Sequence, residues 1–297
     1  MRGHQKCMNE TYRQYLIDGE RAGVQYALTA PRNVPFGITG SQMGKRSGSS
    51  LEFIDHREYQ PGDDLRRIDW SGFARSDKLT VKLYRDEVSP HLDVVIDGSC
   101  SMALEDSPKA QATLGLAAVL ATAASNVGYS HNAWVAGDGC RQVDNGTDRP
   151  SIWDEIDFAY HGDLLTSFVK LPPSWRPFGL RVLISDLLLP GDPLTVLAQF
   201  AERATAVVVV QILAEADVNP TERGNIRLID SETEAVREIF LDPAAEKRYR
   251  DAFARHQESW HLAAKQTGAI MTTVIAEEIL SDWRLEALVA AEVLTIT

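Results

Sequence analysis

The sequence predicts an α/β fold, a doubly wound, mainly parallel sheet preceded by an N-terminal, partly β extension. Three observations predict it. After residue 90, short apolar runs alternate with helical segments, the order expected of βαβ units. The runs Leu92–Ile96, Leu180–Ser185 and Ala206–Leu213 are nearly continuous in apolar residues, as in parallel strands covered on both faces. Charge also changes along the chain: residues 1–90 carry 14 basic and 12 acidic residues, residues 91–297 carry 16 and 30. The net −12 of the 297 residues is therefore the sum of +2 over residues 1–90 and −14 over residues 91–297. Two domains are expected, an extension over 1–90 and an α/β domain over 91–297.

The elements follow in order. A short helix is expected over Glu10–Ala22. A turn-rich loop follows over Pro31–Ser50, where Pro31, Pro35, Gly37, Gly40, Gly44 and Gly48 break regular structure. Leu79–Tyr84 alternates apolar and polar residues, the period of a half-buried strand, and Pro61-Gly62-Asp63-Asp64 reads as a tight turn. Leu92–Ile96 is a strand. Ser107 and Pro108 suit the cap and first position of a helix running to Asn126. A strand (Ala133–Ala136), a helix (Ser151–Tyr160) and a helical segment (Leu164–Leu171) come next. They are followed by strand Leu180–Ser185, helix Pro193–Ala204 and strand Ala206–Leu213. Ile226–Ile229 and Val236–Phe240 form a hairpin. A long helix over Ala244–Thr267 ends at Gly268, and strand Ala269–Ile275 and helix Leu280–Ala291 close the chain.

Composition excludes several classes. With 44% hydrophobic and 24% charged residues the chain can bury a full core, against wholesale disorder or a fibrous repeat. Cys7, Cys100 and Cys140 are too few and too scattered for a disulfide framework, and no Cys-x-x-Cys pair suggests a zinc ribbon. The N-terminus, with Arg2, His4, Lys6 and Glu10, lacks the apolar stretch of a signal peptide. The charge-free run Ala110–Gly137 is interrupted by polar residues, so its apolar part is shorter than the ~20 residues of a membrane span. A soluble, cytoplasmic protein without a membrane span is expected. An acidic total argues against binding nucleic acid by phosphate neutralisation.

In such a sheet, ligands bind beyond the carboxyl ends of the strands, where strand order reverses. Two expected strands end in oxygen-bearing residues, one in Asp97-Gly98-Ser99-Cys100-Ser101-Met102, the other in Ser185-Asp186. In an extended loop, positions i, i+2 and i+4 point the same way, so Asp97, Ser99 and Ser101 can converge. One carboxylate and two hydroxyls are hard donors suited to Mg²⁺ or Mn²⁺ rather than zinc or copper. Asp186 can complete the set from the neighbouring strand. Cys100 reads as a small packed residue pointing away from that point. Arg57–Arg75, dense in charges and aromatics, reads as a salt-bridged structural module with Tyr59 and Trp70 packed.

Asp97-x-Ser99-x-Ser101 resembles the metal-ion-dependent adhesion site of von Willebrand factor A-type domains. Together with other segments it is similar to the Domain of Unknown Function 58 family. Those segments are Arg57-Glu-Tyr59-Gln-Pro61-Gly62-Asp63-Asp64-Leu-Arg66-Arg67-Ile-Asp69-Trp70, continuing to Ala74-Arg75; Val81-Lys-Leu-Tyr84 with Glu87; Ile184-Ser185-Asp186; and Leu228-Ile-Asp230-Ser-Glu232-Thr233. The resemblance implies a von Willebrand factor A-like fold. It makes Ser99 and Ser101 direct metal ligands, with Asp97 and Asp186 acting mostly through water. The usual threonine ligand falls on Thr166 in an unusual register, with Asp163 competing for the role. The implied cofactor is Mg²⁺ or Mn²⁺ with one position open for a carboxylate of a partner protein. The implied role is non-enzymatic, an adaptor or co-chaperone acting with a MoxR-type AAA+ ATPase or its client.

The competing expectation is a Mg²⁺-dependent hydrolase or phosphotransferase with Asp97 as nucleophile. Such phosphatases place a second aspartate two residues on, where this chain has Ser99. No Gly-x-Ser-x-Gly elbow, Walker A loop or Gly-x-Gly-x-x-Gly turn occurs.

Overall fold

The computed structural model describes residues 2–29, 51–86, 90–143, 149–189, 191–220, 223–231 and 235–297. The turn-rich loop expected over Pro31–Ser50, together with Glu87, Glu232 and Thr233, lies outside the described residues. Contacts divide the chain into two units, residues 1–32 with 90–297, and residues 33–89. The elements in chain order are α1 (Arg2–Gly23), β1 (Tyr26–Leu28), β2 (Leu51–Glu58), α2 (Trp70–Ser76), β3 (Thr80–Asp86), β4 (His91–Asp97), α3 (Lys109–Asn126), β5 (Ser130–Gly137) and β6 (Gly139–Gln142). They continue with α4 (Leu164–Lys170), β7 (Leu180–Ser185), α5 (Pro193–Ala201), β8 (Ala206–Leu213), α6 (Glu215–Val218), β9 (Gly224–Ile229) and β10 (Val236–Leu241). The last are α7 (Pro243–Thr267), β11 (Ile270–Ile275), α8 (Ala276–Asp282), α9 (Glu286–Ala290) and β12 (Leu294–Ile296).

The larger unit is a mixed α/β structure around a six-stranded sheet in the order β11–β8–β7–β4–β5–β6. Every neighbouring pair is parallel except β5–β6. The sheet can be parallel because its strands are apolar on both faces: Leu92, Val94, Val95, Ile96, Val182, Leu183, Ile184, Val209, Val210 and Ile212 are buried. One face packs with α1, α3, α8 and α9, the other with α4, α5 and α7. The charge-free run becomes α3 and β5. Helix α3 is apolar nearly all round because it is covered on every side. From β4 the chain moves to β5 on one side, then crosses to β7 on the other. Strand order therefore reverses between β4 and β7.

Residues 2–29, expected in the extension, belong instead to the larger unit. The reason is a close helix crossing. A Cβ at Gly19 would lie 2.1 Å from the Gly115 carbonyl oxygen, and one at Gly23 2.7 Å from the Thr122 Cβ. Only glycine lets α1 and α3 approach so far. Strand β1 then pairs antiparallel with β12, which ties the two ends of the unit together.

Two expected helices are not continuous. Over Ser151–Tyr160 only a 3₁₀ turn forms, at Pro150–Ile152. Glu155 takes φ 57°, a left-handed conformation, and Trp153, Ile156 and Phe158 turn into the core. Ile156 and Phe158 are two apart, the spacing of extended chain rather than helix. The helix expected over Leu280–Ala291 is split into α8 and α9 at Trp283, φ 58°. The indole of Trp283 occupies the space beside Gly115, where a Cβ would lie 2.0 Å from it. Tyr26 fixes the break, its hydroxyl donating to the Trp283 carbonyl at 3.1 Å and accepting from the Leu285 N–H at 3.3 Å.

Among the described residues, no helix is long and apolar enough to cross a membrane.

In the smaller unit, β2 and β3 pair antiparallel with a register shift between Phe53 and Asp55. Charges in the Arg57–Arg75 segment pair locally: Arg57 with Asp63 at 2.6 Å, Arg66 with Asp64 at 3.1 Å, and His56 and Lys82 with Asp69 at 3.0 and 3.5 Å. Trp70, expected to pack, is 60% exposed and meets Phe73 edge to face.

Candidate metal centre

Asp97 is the last residue of β4, and Ser185 ends β7 beside it with Asp186 next in the chain; Ile96 pairs with Ile184 in the parallel register. The two strand ends therefore meet at the reversal of strand order, on the carboxyl side of the sheet. Gly98 lets the chain turn tightly there. Its N–H donates to the Ala136 carbonyl at 2.9 Å, and a Cβ would lie 2.8 Å from the Val135 Cγ1. Cys100 N–H then donates to the Tyr160 carbonyl at 3.0 Å, and Tyr160 N–H to the Gly98 carbonyl at 3.1 Å. These bonds clamp the loop that carries Ser99 and Ser101.

Asp97 is buried. Its Oδ1 accepts the Ser99 N–H at 3.0 Å and its Oδ2 accepts the Ser185 hydroxyl at 2.6 Å. Burial, followed by the nearby Asp186 charge, pushes its carboxyl up to about 6 against the lowering effect of those hydrogen bonds. The Ser99 and Ser101 hydroxyls converge to 3.0 Å, with Ser99 buried and Ser101 partly exposed. The Ser99 and Ser101 hydroxyls thus meet, and Asp97 bonds to the Ser99 N–H beside them.

Asp186 is engaged differently from the expectation. Its Oδ2 accepts from Lys109 Nζ at 2.8 Å and its Oδ1 from the Leu188 N–H at 3.0 Å, while its carbonyl accepts from Gln211 at 3.1 Å. Lys109, the first residue of α3, is 1% exposed and also lies 3.4 Å from Asp217 on α6. Burial works against the Lys109 charge, but Asp186 and Asp217 overcome it and hold the amine above its ordinary value. Thr166 is exposed; Asp163 caps α4 by accepting its N–H at 2.8 Å and its hydroxyl at 2.9 Å. Asp163 and Thr166 are thus partners in a helix cap, and their hydrogen bonds do not reach the Asp97 cluster. Cys100, expected to be packed, is partly exposed, and its sulfur lies 3.4 Å from His161 Nε2.

A hard cation can be tested against these positions. Metal–oxygen distances near 2.1 Å in octahedral geometry place adjacent ligands about 3.0 Å apart, the separation of the two serine hydroxyls. The two hydroxyls therefore have the spacing of adjacent ligands to such a cation. Among the described residues no three His, Cys, Asp or Glu side chains gather closely enough to cage a metal. A cation here would be held by hydroxyls and water. Sequence reasoning missed Lys109 and Asp217, and named Ser185 as an oxygen-bearing strand end without its bond to Asp97. The one legible signal was a lysine immediately ahead of the charge-free run that fills the rest of α3.

The fold and the centre define an α/β protein with a polar cluster at the strand-order reversal of a mostly parallel sheet. Residues 55–259 match DUF58, a family of proteins of unknown function, and the chain belongs to that family. Uncharacterized proteins of Mycobacterium bovis and Mycobacterium tuberculosis are 27% identical over 268 residues, covering 86% of this chain and 83% of their own length. An uncharacterized protein of Mycobacterium avium is 30% identical over 122 residues, 41% of this chain and 70% of its own. Among solved structures, the conserved hypothetical protein BatB from Bacteroides thetaiotaomicron aligns with 68% of this chain and 98% of its own, at 13% identity and a TM-score of 0.33. An aerotolerance-related membrane protein from Bacteroides fragilis aligns with 60% of this chain and 98% of its own, at 14% identity and a TM-score of 0.30.

Proposed function

We propose that this chain is a non-enzymatic protein-interaction module of the von Willebrand factor A type that works through a divalent cation, Mg²⁺ or Mn²⁺. Ser99 and Ser101 hold the cation, Asp97 and Asp186 supply the surrounding negative charge, and an open position takes a carboxylate from a partner protein. A hard cation with an empty coordination site is itself the recognition element. The observation that carries the reading is the convergence of the Ser99 and Ser101 hydroxyls over Asp97, at the end of β4. The similarity of Asp97-x-Ser99-x-Ser101 to the metal-ion-dependent adhesion site supports it. Thr166 keeps its place among the candidate ligands, because donating its hydroxyl hydrogen to Asp163 leaves the oxygen lone pairs for a cation. By the same resemblance, the module serves in the cytoplasm as an adaptor or co-chaperone for a MoxR-type AAA+ ATPase.

Asp97 is poorly placed for the competing role of nucleophile. It is 1% exposed and both its oxygens accept hydrogen bonds.

Co-purification with the ATPase encoded or expressed alongside this chain tests the reading. Recovery of the ATPase is expected to fall at least about tenfold in EDTA, and equally for the Asp97→Ala, Ser99→Ala double variant. Equal recovery from wild type and variant would show that the centre does not bind the partner.

A further inference from the structure

Among the described residues of the larger unit, Lys109 and Arg181 are buried cations, and the reading above leaves Lys109 without a task. Lys109 is 1% exposed, and its ammonium lies 2.8 Å from Asp186, which is fully buried. Lysine is almost never buried unless paired. Its position is also unfavourable in helix terms. It opens α3, and the amino end of a helix favours anions and disfavours cations. The rest of α3 is charge-free and apolar, so packing alone would be served better by an apolar residue here. What keeps a lysine in place is the pair of carboxylates it meets, Asp186 at the end of β7 and Asp217 in α6.

Lys109 therefore bridges Asp186 at the carboxyl end of β7 and Asp217 on α6. Ile96 pairs with Ile184 and Asp97 accepts from the Ser185 hydroxyl at 2.6 Å, so Asp97 and Asp186 sit on adjoining strand ends, and a cation seated by Ser99 and Ser101 beside Asp97 would sense the ammonium through them. We propose that Lys109 is the internal counter-cation of this centre: it holds Asp186 in place with no metal bound, and it sets the affinity for a divalent cation by opposing the ion's charge. The proposal rests on the cation reading above and adds what tunes it. The ammonium supplies permanently a positive charge that a metal would otherwise bring, so the fold keeps its strand ends together in the metal-free state. A divalent ion is then bound weakly enough to come and go with a partner's carboxylate.

The test is a calorimetric Mg²⁺ titration of wild type, Lys109→Met and Lys109→Gln at fixed low ionic strength, with Tm recorded in EDTA and in Mg²⁺. Folding of each variant is checked by near-ultraviolet circular dichroism. Both variants are expected to bind Mg²⁺ at least about tenfold more tightly than wild type. Their Tm is expected to rise with Mg²⁺, whereas that of the wild type barely responds. A variant that folds only in Mg²⁺ supports the proposal as well. Folded variants that bind Mg²⁺ no more tightly than a Mg²⁺-binding wild type overturn it. If wild type and folded variants alike take up no Mg²⁺, the cation reading itself fails, a distinct result. Should neither lysine variant fold in either condition, Asp217→Asn decides. Losing this partly exposed partner leaves the ammonium less compensated, so Mg²⁺ binding is expected to weaken, and unchanged affinity counts against the proposal.

Discussion

In EDTA at pH 8, Asp97→Asn is expected to be more stable than the wild type by about 3 kcal/mol, read from urea unfolding. Burial and the neighbouring Asp186 charge raise the Asp97 carboxyl from the ordinary 3.8 to about 6 in the folded protein. The folded state therefore binds more protons than the unfolded state between these values, and stability falls as pH rises through the window. Above pH 6 the full cost is present, a little over two units at 1.36 kcal/mol each, or about 3 kcal/mol. Asparagine carries no charge to desolvate, and its amide can still accept from the Ser99 N–H and meet the Ser185 hydroxyl. The advantage of the variant should shrink to about half at pH 5 and vanish below pH 4. An advantage independent of pH, or a variant less stable than wild type at pH 8, contradicts this account of Asp97. The same substitution should abolish cation binding, so the residue that weakens the metal-free fold is one the function requires, a familiar exchange of stability for activity.

Lys109→Met is expected to act in the opposite direction, costing about 3–5 kcal/mol in EDTA at pH 7. Removing one partner of a buried ion pair leaves the other charge uncompensated in an apolar setting. Asp186 would keep the Leu188 N–H but lose its cation. The loss should be nearly absent in the double variant Lys109→Met, Asp186→Leu, because the uncompensated charge goes with its partner. Thermal unfolding of the single and double variants measures this coupling. If the double variant is as unstable as the single one, packing of the lysine stem rather than its charge holds the strand ends.

The fold was legible where local pattern and tertiary role agreed. Strands Leu180–Ser185 and Ala206–Leu213 are continuous apolar runs, and both are found at their expected bounds. Helix α7 shows its ends in Asp242 and in Gly268, which takes φ 72°. The failures arise from long-range contacts. Ser151–Tyr160 contains enough apolar residues for a helix, but Trp153, Ile156 and Phe158 are claimed by the core, which fixes extended chain. Trp283 breaks a helical pattern because a glycine far away on α3 makes room for its ring. The placement of α1 depends on Gly19 and Gly23, which let it lie against the backbone of the same helix.

The centre shows the same division. Asp97, Ser99 and Ser101 lie within five residues, so the geometry of one loop brings them together and spacing reveals it. The partner of Asp186 was hidden, because Lys109 precedes it by 77 residues and nothing local marks a lysine as buried. Thr166 could be matched by residue type, but three residues upstream Asp163 has the spacing of a helix cap. That local hydrogen bond takes the threonine hydroxyl hydrogen.

The most direct test of the account is a calorimetric Mg²⁺ titration of the wild type beside Ser99→Ala, with both proteins shown to be folded. The wild type is expected to bind one Mg²⁺ per chain, and Ser99→Ala to bind at least about tenfold more weakly, because one of the two converging hydroxyls is gone. Equal affinity in the two proteins, or no uptake by the wild type, contradicts a cation centre at the end of β4.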